Sequence, residues 1–170
     1  MPLTTPNTQN LEGAIRRWLL FFIIALIISG LTAFALETEL NWLLRIWPGW
    51  ISGNLYNWVR NVYVAIRNTN QQYPFMAYGY DWLAFAHLVI AVAFIGPLRD
   101  PVGNSWIIEF GMIACIGVFP LAFIAGAVRG IPLYWRLIDC SFGVIGLVPL
   151  TIVYKKIRLL ALQKNQLAHA

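Results

Sequence analysis

Charged residues are scarce in this chain. Asp, Glu, Lys and Arg make up 11% of its 170 residues, whereas 59% are apolar. A soluble domain has roughly 25% charged residues, so this chain has too few to cover a water-facing surface, and an ordinary soluble domain is excluded. The formal net charge of +5 does not indicate nucleic-acid binding, because the basic residues flank apolar runs and form no patch among polar residues.

Cysteine and histidine are also rare. Cys115 and Cys140 lie inside apolar runs without a Cys-x-x-Cys spacing, and we interpret both as small buried side chains rather than as a disulfide. His87 lies in an apolar run, and the other histidine, His169, lies in a polar tail. This placement argues against haem b held by two histidines of one chain, and we predict no metal site and no cofactor.

The usual sequence signatures of catalysis are missing as well. The sequence has no Gly-rich phosphate-binding loop, no Ser-His-Asp grouping, no zinc-ligand spacing and no His-Glu-x-x-His pattern. It therefore gives no support to an enzyme, although it does not exclude one.

Long apolar runs are what the chain has in abundance. Residues 18–36 contain no charge, and a helix of this length is about 28 Å long, enough to cross the hydrocarbon core. A cleaved signal peptide is the alternative, since Ala-Phe-Ala at 33–35 resembles a cleavage site, but the run is longer than is usual for one.

We predict an all-α integral membrane protein, a four-transmembrane-helix bundle with one or two amphipathic interfacial helices between the first two spans. The predicted parts are a disordered N-terminal tail (1–14), a single transmembrane domain (15–156) with spans at about 17–36, 80–98, 105–128 and 134–154, and a basic cytoplasmic tail (157–170).

The connection between the first two spans, residues 38–72, is rich in tryptophan and tyrosine. Leu40, Leu43, Leu44 and Trp47 follow the spacing i, i+3, i+4, i+7 of an apolar helix face. A second stripe of this kind follows the Pro48-Gly49 break. Aromatic rings with one wet and one dry side favour the membrane interface, so we predict that this segment lies flat on the outer surface.

Lysine and arginine indicate the orientation. With the N-terminus inside, the inner segments hold seven of these residues and the outer segments five. The bias predicts that both termini are cytoplasmic, and we expect a bacterial inner (cell) membrane. The expected partners are the lipid bilayer and either another membrane protein or further copies of this chain, with no nucleic acid.

Three ionisable residues within the apolar runs form the predicted ligand or proton site: His87, Arg136 and Asp139. His87 shares a helical stripe with Ala84 and Ala91, and small residues of this kind allow close helix packing, so the ring should face a neighbouring helix. Arg136 and Asp139 open the fourth span at the same predicted depth, and Asp139 could accept hydrogen bonds from both other residues. Arg136 and Asp139 share a helical stripe that predicts a buried packing seam, formed by Cys140, Gly143, Gly146, Leu147 and Leu150. Intramembrane ionisable groups are often functional, but a structural helix–helix hydrogen bond and a structural salt bridge are the alternatives.

Glu109 is a secondary candidate. It lies near the inner end of the third span, off the seam of small residues, where a carboxylate suits the helix dipole and Arg99 is in reach. We favour a structural first-turn carboxylate over a transport group at this position.

The sequence favours a small polytopic membrane protein that works as a non-catalytic accessory or assembly subunit. The alternative is a proton-linked transporter or a lipophilic-ligand-binding membrane protein that uses the cluster of His87, Arg136 and Asp139.

Overall fold

The computed structural model describes residues 6–51 and 53–168. Helices account for 89% of it, and these residues form no β-strand, which confirms the predicted all-α class. In chain order the α-helices of the described residues are α1 (Pro6–Phe34), α2 (Leu36–Arg45), α3 (Gly53–Gln72), α4 (Tyr78–Ala93), α5 (Ile95–Arg99), α6 (Ser105–Pro120), α7 (Gly126–Val128) and α8 (Leu133–Ala168). A 3₁₀ turn, Pro74–Ala77, precedes α4, and a π-helical turn, Leu121–Ala125, joins α6 to α7.

Among the residues that the structure describes, four helical stretches are long and apolar enough to cross a membrane. They are candidate span 1 (Thr8–Phe34), candidate span 2 (Pro74–Arg99), candidate span 3 (Ser105–Val128) and candidate span 4 (Leu133–Leu167). The third coincides with the predicted run at 105–128. The first begins earlier than expected and the fourth ends later, because the helices continue into the polar flanks of both apolar runs.

The structure divides into two compact units, and the single transmembrane domain expected over residues 15–156 stays a prediction. The first unit contains α1 as far as Ile24 together with the chain from Val92 onward, and the second contains Ala25–Ala91.

The core of the first unit is built around Phe94, which has no exposed surface. The ring of Phe22 lies 4.8 Å from it, centroid to centroid. A β-carbon placed on Gly111 would lie 2.7 Å from the ring atom Cζ of Phe94. The absence of a side chain at Gly111 therefore lets α6 pack directly against the Phe94 ring. On α8, Gly143 and Gly146 face Cys115 of α6 in the same way. The predicted packing seam along the fourth span is therefore present.

The two ends of the first unit are more ordered than the sequence suggested. Residues 6–14 were expected to be disordered, but they form the first turns of α1, where Thr8 is buried. The expected tail after residue 156 is likewise helical as far as Ala168. The cause is a buried face that extends past both apolar runs, with Ile15 and Leu160 almost fully covered.

Proline and glycine set the breaks between helices. Pro97 has no N–H to donate to the Ala93 carbonyl, and α4 ends at that residue. Pro120 closes α6, and the turn after it widens, so that the N–H of Gly126 donates to the carbonyl of Leu121 five residues back. Gly130 has a φ of 68°, which glycine adopts without strain, and it lies in the turn that follows α7.

The second unit combines the end of α1 with α2, α3 and α4 as far as Ala91. A β-carbon on Gly30 would lie 3.0 Å from the carbonyl oxygen of Ala84, and Ala84 is fully buried. The predicted small-residue stripe of the second span therefore packs against a neighbouring helix. Residues 38–72, predicted to contain one or two helices, form α2 and α3, and the rings of Trp47 and Tyr56 meet edge to face across their connection, 5.6 Å apart.

Candidate functional site

His87 lies on the half-buried side of α4, one turn after Ala84. Its Cβ would be 3.2 Å from a β-carbon on Gly30, so its stem lies against α1. The ring atom Nδ1 is 2.8 Å from the backbone oxygen of Leu83. A carbonyl oxygen accepts hydrogen bonds and cannot donate them, so Nδ1 carries the proton in this contact and Nε2 of the neutral ring keeps its lone pair.

Arg136 lies in the first turn of α8 and packs against Gly126, directly after the π-helical turn. A β-carbon on Gly126 would lie 2.7 Å from Cδ of Arg136, so the glycine makes room for the arginine stem. The Nε atom of Arg136 is enclosed, and no described residue accepts a hydrogen bond from it. The widened turn after Pro120 thus ends next to Gly126, the residue against which the Arg136 stem packs.

Asp139 lies one turn further along α8 and is half-buried. The predicted salt bridge between Asp139 and Arg136 does not form: within the described part of the chain their charged atoms are more than 4.0 Å apart. Both residues are in the first unit, whereas His87 is in the second. The joint cluster of the three residues therefore stays a prediction.

Glu109 is on the exposed face of α6, with Ile113 and Ile116. It lines a cleft of about 220 Å³ with Arg158 and Tyr154 of α8. The guanidinium carbon of Arg158 lies 5.5 Å from the centroid of the Tyr154 ring, a cation–π distance. The cation that shares a cleft with Glu109 is therefore Arg158. The residue expected in that place, Arg99, lines a different cleft.

That second cleft, also about 220 Å³, is lined by charged side chains from α1, from the end of α5 and from α8. Lys164 of α8 is 3.0 Å from Glu12 of α1, an exposed pair of the kind that contributes little to stability. Arg16 and Arg99 also line the cleft, and Asp100 accepts a hydrogen bond from the backbone N–H of Gly103 at 3.1 Å. Sequence reasoning missed this cleft because the polar composition of residues 6–14 predicts disorder, whereas the cleft needs Glu12 on a helix.

The second unit contains a groove of about 320 Å³ lined by four aromatic side chains and one carboxylate. The aromatic residues are Phe34 at the end of α1 and Tyr78, Trp82 and Phe85 on α4; the carboxylate is Asp81. Sequence reasoning missed this groove too. A signal was present, since 78, 81, 82 and 85 follow the spacing of a single helix face.

Within residues 6–51 and 53–168, no group of three or more His, Cys, Asp and Glu side chains could hold a metal ion. His169 lies outside the described residues. The expectation that the chain carries no cofactor stays a prediction.

Comparison with known proteins gives no relative from which a role could be inferred. No protein family, curated protein or solved structure matches this chain.

Proposed function

We propose that this chain is an integral membrane protein that works as a non-catalytic accessory or assembly subunit, bound to a partner membrane protein through candidate span 4. The four candidate spans support the first part. In the most apolar 18-residue stretch of each candidate span, between 17% and 28% of the residues are buried inside the structure. The remaining apolar surface needs lipid or another protein to cover it.

We place both termini in the cytoplasm of a bacterial cell and α2 and α3 in the outer interface of its inner membrane. The excess of lysine and arginine at the inner ends supports this orientation. The aromatic side chains support the interfacial position: 87% of Trp50 and 65% of Trp42 is exposed. Tryptophan is enriched at the membrane interface because its ring is apolar and its N–H is polar.

The observation that carries the partner proposal is the environment of Arg136. This residue and Asp139 lie in the first two turns of an apolar helix, yet the described residues supply neither an acceptor for Arg136 Nε nor an ion-pair partner for Asp139. Polar groups in such a position are costly unless they are paired. A polar side chain on a helix of another subunit would pair them, and such contacts specify helix association in membranes.

Site-specific photocrosslinking in native membranes tests this proposal. A photoreactive side chain at Leu137, which is exposed beside Arg136, should give one discrete protein adduct. Arg136→Met removes the charge and keeps most of the apolar stem, so it should abolish that adduct. The same probe at Ile113, exposed on α6, is the matched control and should give no protein adduct that depends on Arg136.

Two outcomes would contradict the proposal. One is an unchanged adduct in the Arg136→Met variant, and the other is an adduct with lipid alone at Leu137. An adduct with the mass of two copies, lost in the Arg136→Met variant, would support the proposal with a second copy of this chain as the partner.

The contact between His87 and Leu83 favours one second candidate, a proton-linked carrier. Because Nδ1 donates to the Leu83 carbonyl, Nε2 is the ring atom that can take up and release a proton. A carrier of this type should lose proton-coupled uptake in His87→Gln proteoliposomes while the protein still inserts and keeps its helical content. Unchanged uptake in that variant would remove the candidate.

A further inference from the structure

The groove in the second unit has the chemical character of a cation site. Phe34, Tyr78, Trp82 and Phe85 supply its apolar walls, and Asp81 is the charged residue that lines it. Aromatic rings carry partial negative charge on their faces and attract cations there. A carboxylate among four aromatic side chains therefore favours a ligand that is both positively charged and apolar.

The aromatic walls are held in place by their own contacts. The ring of Trp82 lies 5.9 Å from that of Tyr78 and 5.9 Å from that of Phe85, edge to face in both pairs. All three residues follow the face of a single helix, so a ligand would meet a surface that needs little ordering on binding.

The charge of Asp81 is not neutralised within the described part of the chain, where no lysine or arginine lies within 4.0 Å of its carboxylate. Its place in the first turn of α4 explains why a negative charge is tolerated at the start of this helix. The helix dipole does not explain why the neighbouring positions on the same face are aromatic.

We propose that this groove binds a lipophilic ammonium compound, a tertiary or quaternary amine with an apolar substituent that enters from the membrane interface. The cationic nitrogen lies beside Asp81 and the aromatic faces, and the apolar substituent lies along Phe34 and Phe85. The groove volume of about 320 Å³ is at the lower end of the range for small-molecule sites. The ammonium group of a lipid head is the other source of this chemistry, and the experiment separates the two.

The test measures binding of benzyltrimethylammonium to the full chain in nanodiscs of phosphatidylglycerol, a lipid without an ammonium head group. Equilibrium dialysis against empty discs corrects for partition into lipid. Asp81→Asn removes the charge with little change in shape, and Trp82→Leu removes the central ring. Each should weaken binding about tenfold, the scale of a cation–π contact or a charge contact that is partly shielded from water.

The matched controls are Glu39→Gln, an exposed carboxylate on α2, and Trp106→Leu, an exposed tryptophan on α6. Both should bind the probe like the unmodified protein. Neopentylbenzene, in which a carbon replaces the charged nitrogen, should bind at least tenfold more weakly than the cation.

Three results would overturn the proposal: Asp81→Asn binding the cation as tightly as the unmodified protein, the neutral compound binding equally well, or Glu39→Gln weakening binding as much as Asp81→Asn. If phosphatidylcholine added to the discs displaces the probe as a competitor would, a lipid head group fills the groove in the membrane, and the proposal that its ligand is a free ammonium compound is overturned.

Discussion

The aliphatic stem of Arg136 lies against Gly126, where a β-carbon would come within 2.7 Å of Cδ. The contact joins the widened turn after α6 to the first turn of α8. The Nε atom of Arg136 is enclosed beside this contact and has no hydrogen-bond acceptor among the described residues. The proposed partner protein would bind at this position.

The contact predicts energetic coupling between the two positions. Gly126→Ala should destabilise the protein by about 1 kcal/mol, since overpacking outweighs the better helix propensity of alanine. The same substitution in an Arg136→Ala background should be neutral or stabilising, because the stem that it meets is gone. A double-mutant cycle on thermal unfolding in detergent measures the coupling, and additive effects would show that the two residues do not pack together.

The seam between α6 and α8 gives a second prediction. A β-carbon on Gly143 would lie 2.6 Å from the backbone oxygen of Cys115, which cannot move aside as a flexible side chain can. Gly143→Ala should therefore destabilise the protein by about 1–3 kcal/mol. Gly117→Ala is the matched control, because nothing lies within 4 Å of a β-carbon there. Equal unfolding temperatures for the two variants would contradict the close approach of these helices.

A chain of hydrogen bonds holds α2 and α3 against α4, and it gives a third prediction. Asn70 of α3 donates to Glu37 of α2 at 2.8 Å and accepts from the Tyr80 hydroxyl of α4 at 2.6 Å. Asn70→Ala leaves both partners unsatisfied at a half-buried site, so it should cost about 1–3 kcal/mol. Amide hydrogen exchange should rise throughout α2 and α3, and the exposed Asn61→Ala should leave it unchanged. Exchange that rises at residue 70 alone would show that the bonds do not hold α2 and α3 in place.

The position of the proton on His87 is a fourth prediction. Because Nδ1 donates to the Leu83 carbonyl, the neutral ring should carry its proton on Nδ1 and none on Nε2. Nitrogen NMR of histidine-labelled protein in lipid distinguishes the two forms, with His87→Gln identifying the signal. A proton on Nε2 would mean that the contact with Leu83 does not form, and it would remove the structural basis of the proton-carrier candidate.

The apolar and small-residue patterns predicted the all-helical class and the buried faces of two helices, α4 and α8. The stripe of Ala84 and Ala91 is buried as predicted, and so is the face of α8 that contains Cys140 and Leu150. These features follow from the spacing of residues along a single helix, which the sequence displays directly.

Features that need two distant segments could not be predicted in this way. The aromatic groove requires Phe34 to meet α4, and the cleft of Glu109 requires Arg158 to lie across from α6. Spacing along one helix does not say which face of another helix lies opposite. The helical start of α1 was also missed, because its first residues are polar and gain their order from packing.

Transmembrane topology tests the central claim most directly: four helices cross a bilayer with both ends of the chain inside. The measurement labels single cysteines with a membrane-impermeant maleimide in intact cells, in a background with Cys115→Ser and Cys140→Ser. Arg60→Cys and Arg129→Cys should react from outside. Asn10→Cys, Val102→Cys and Asn165→Cys should react after the membrane is opened. Labelling of all five sites in intact cells, or recovery of the protein in the soluble fraction, would contradict the account.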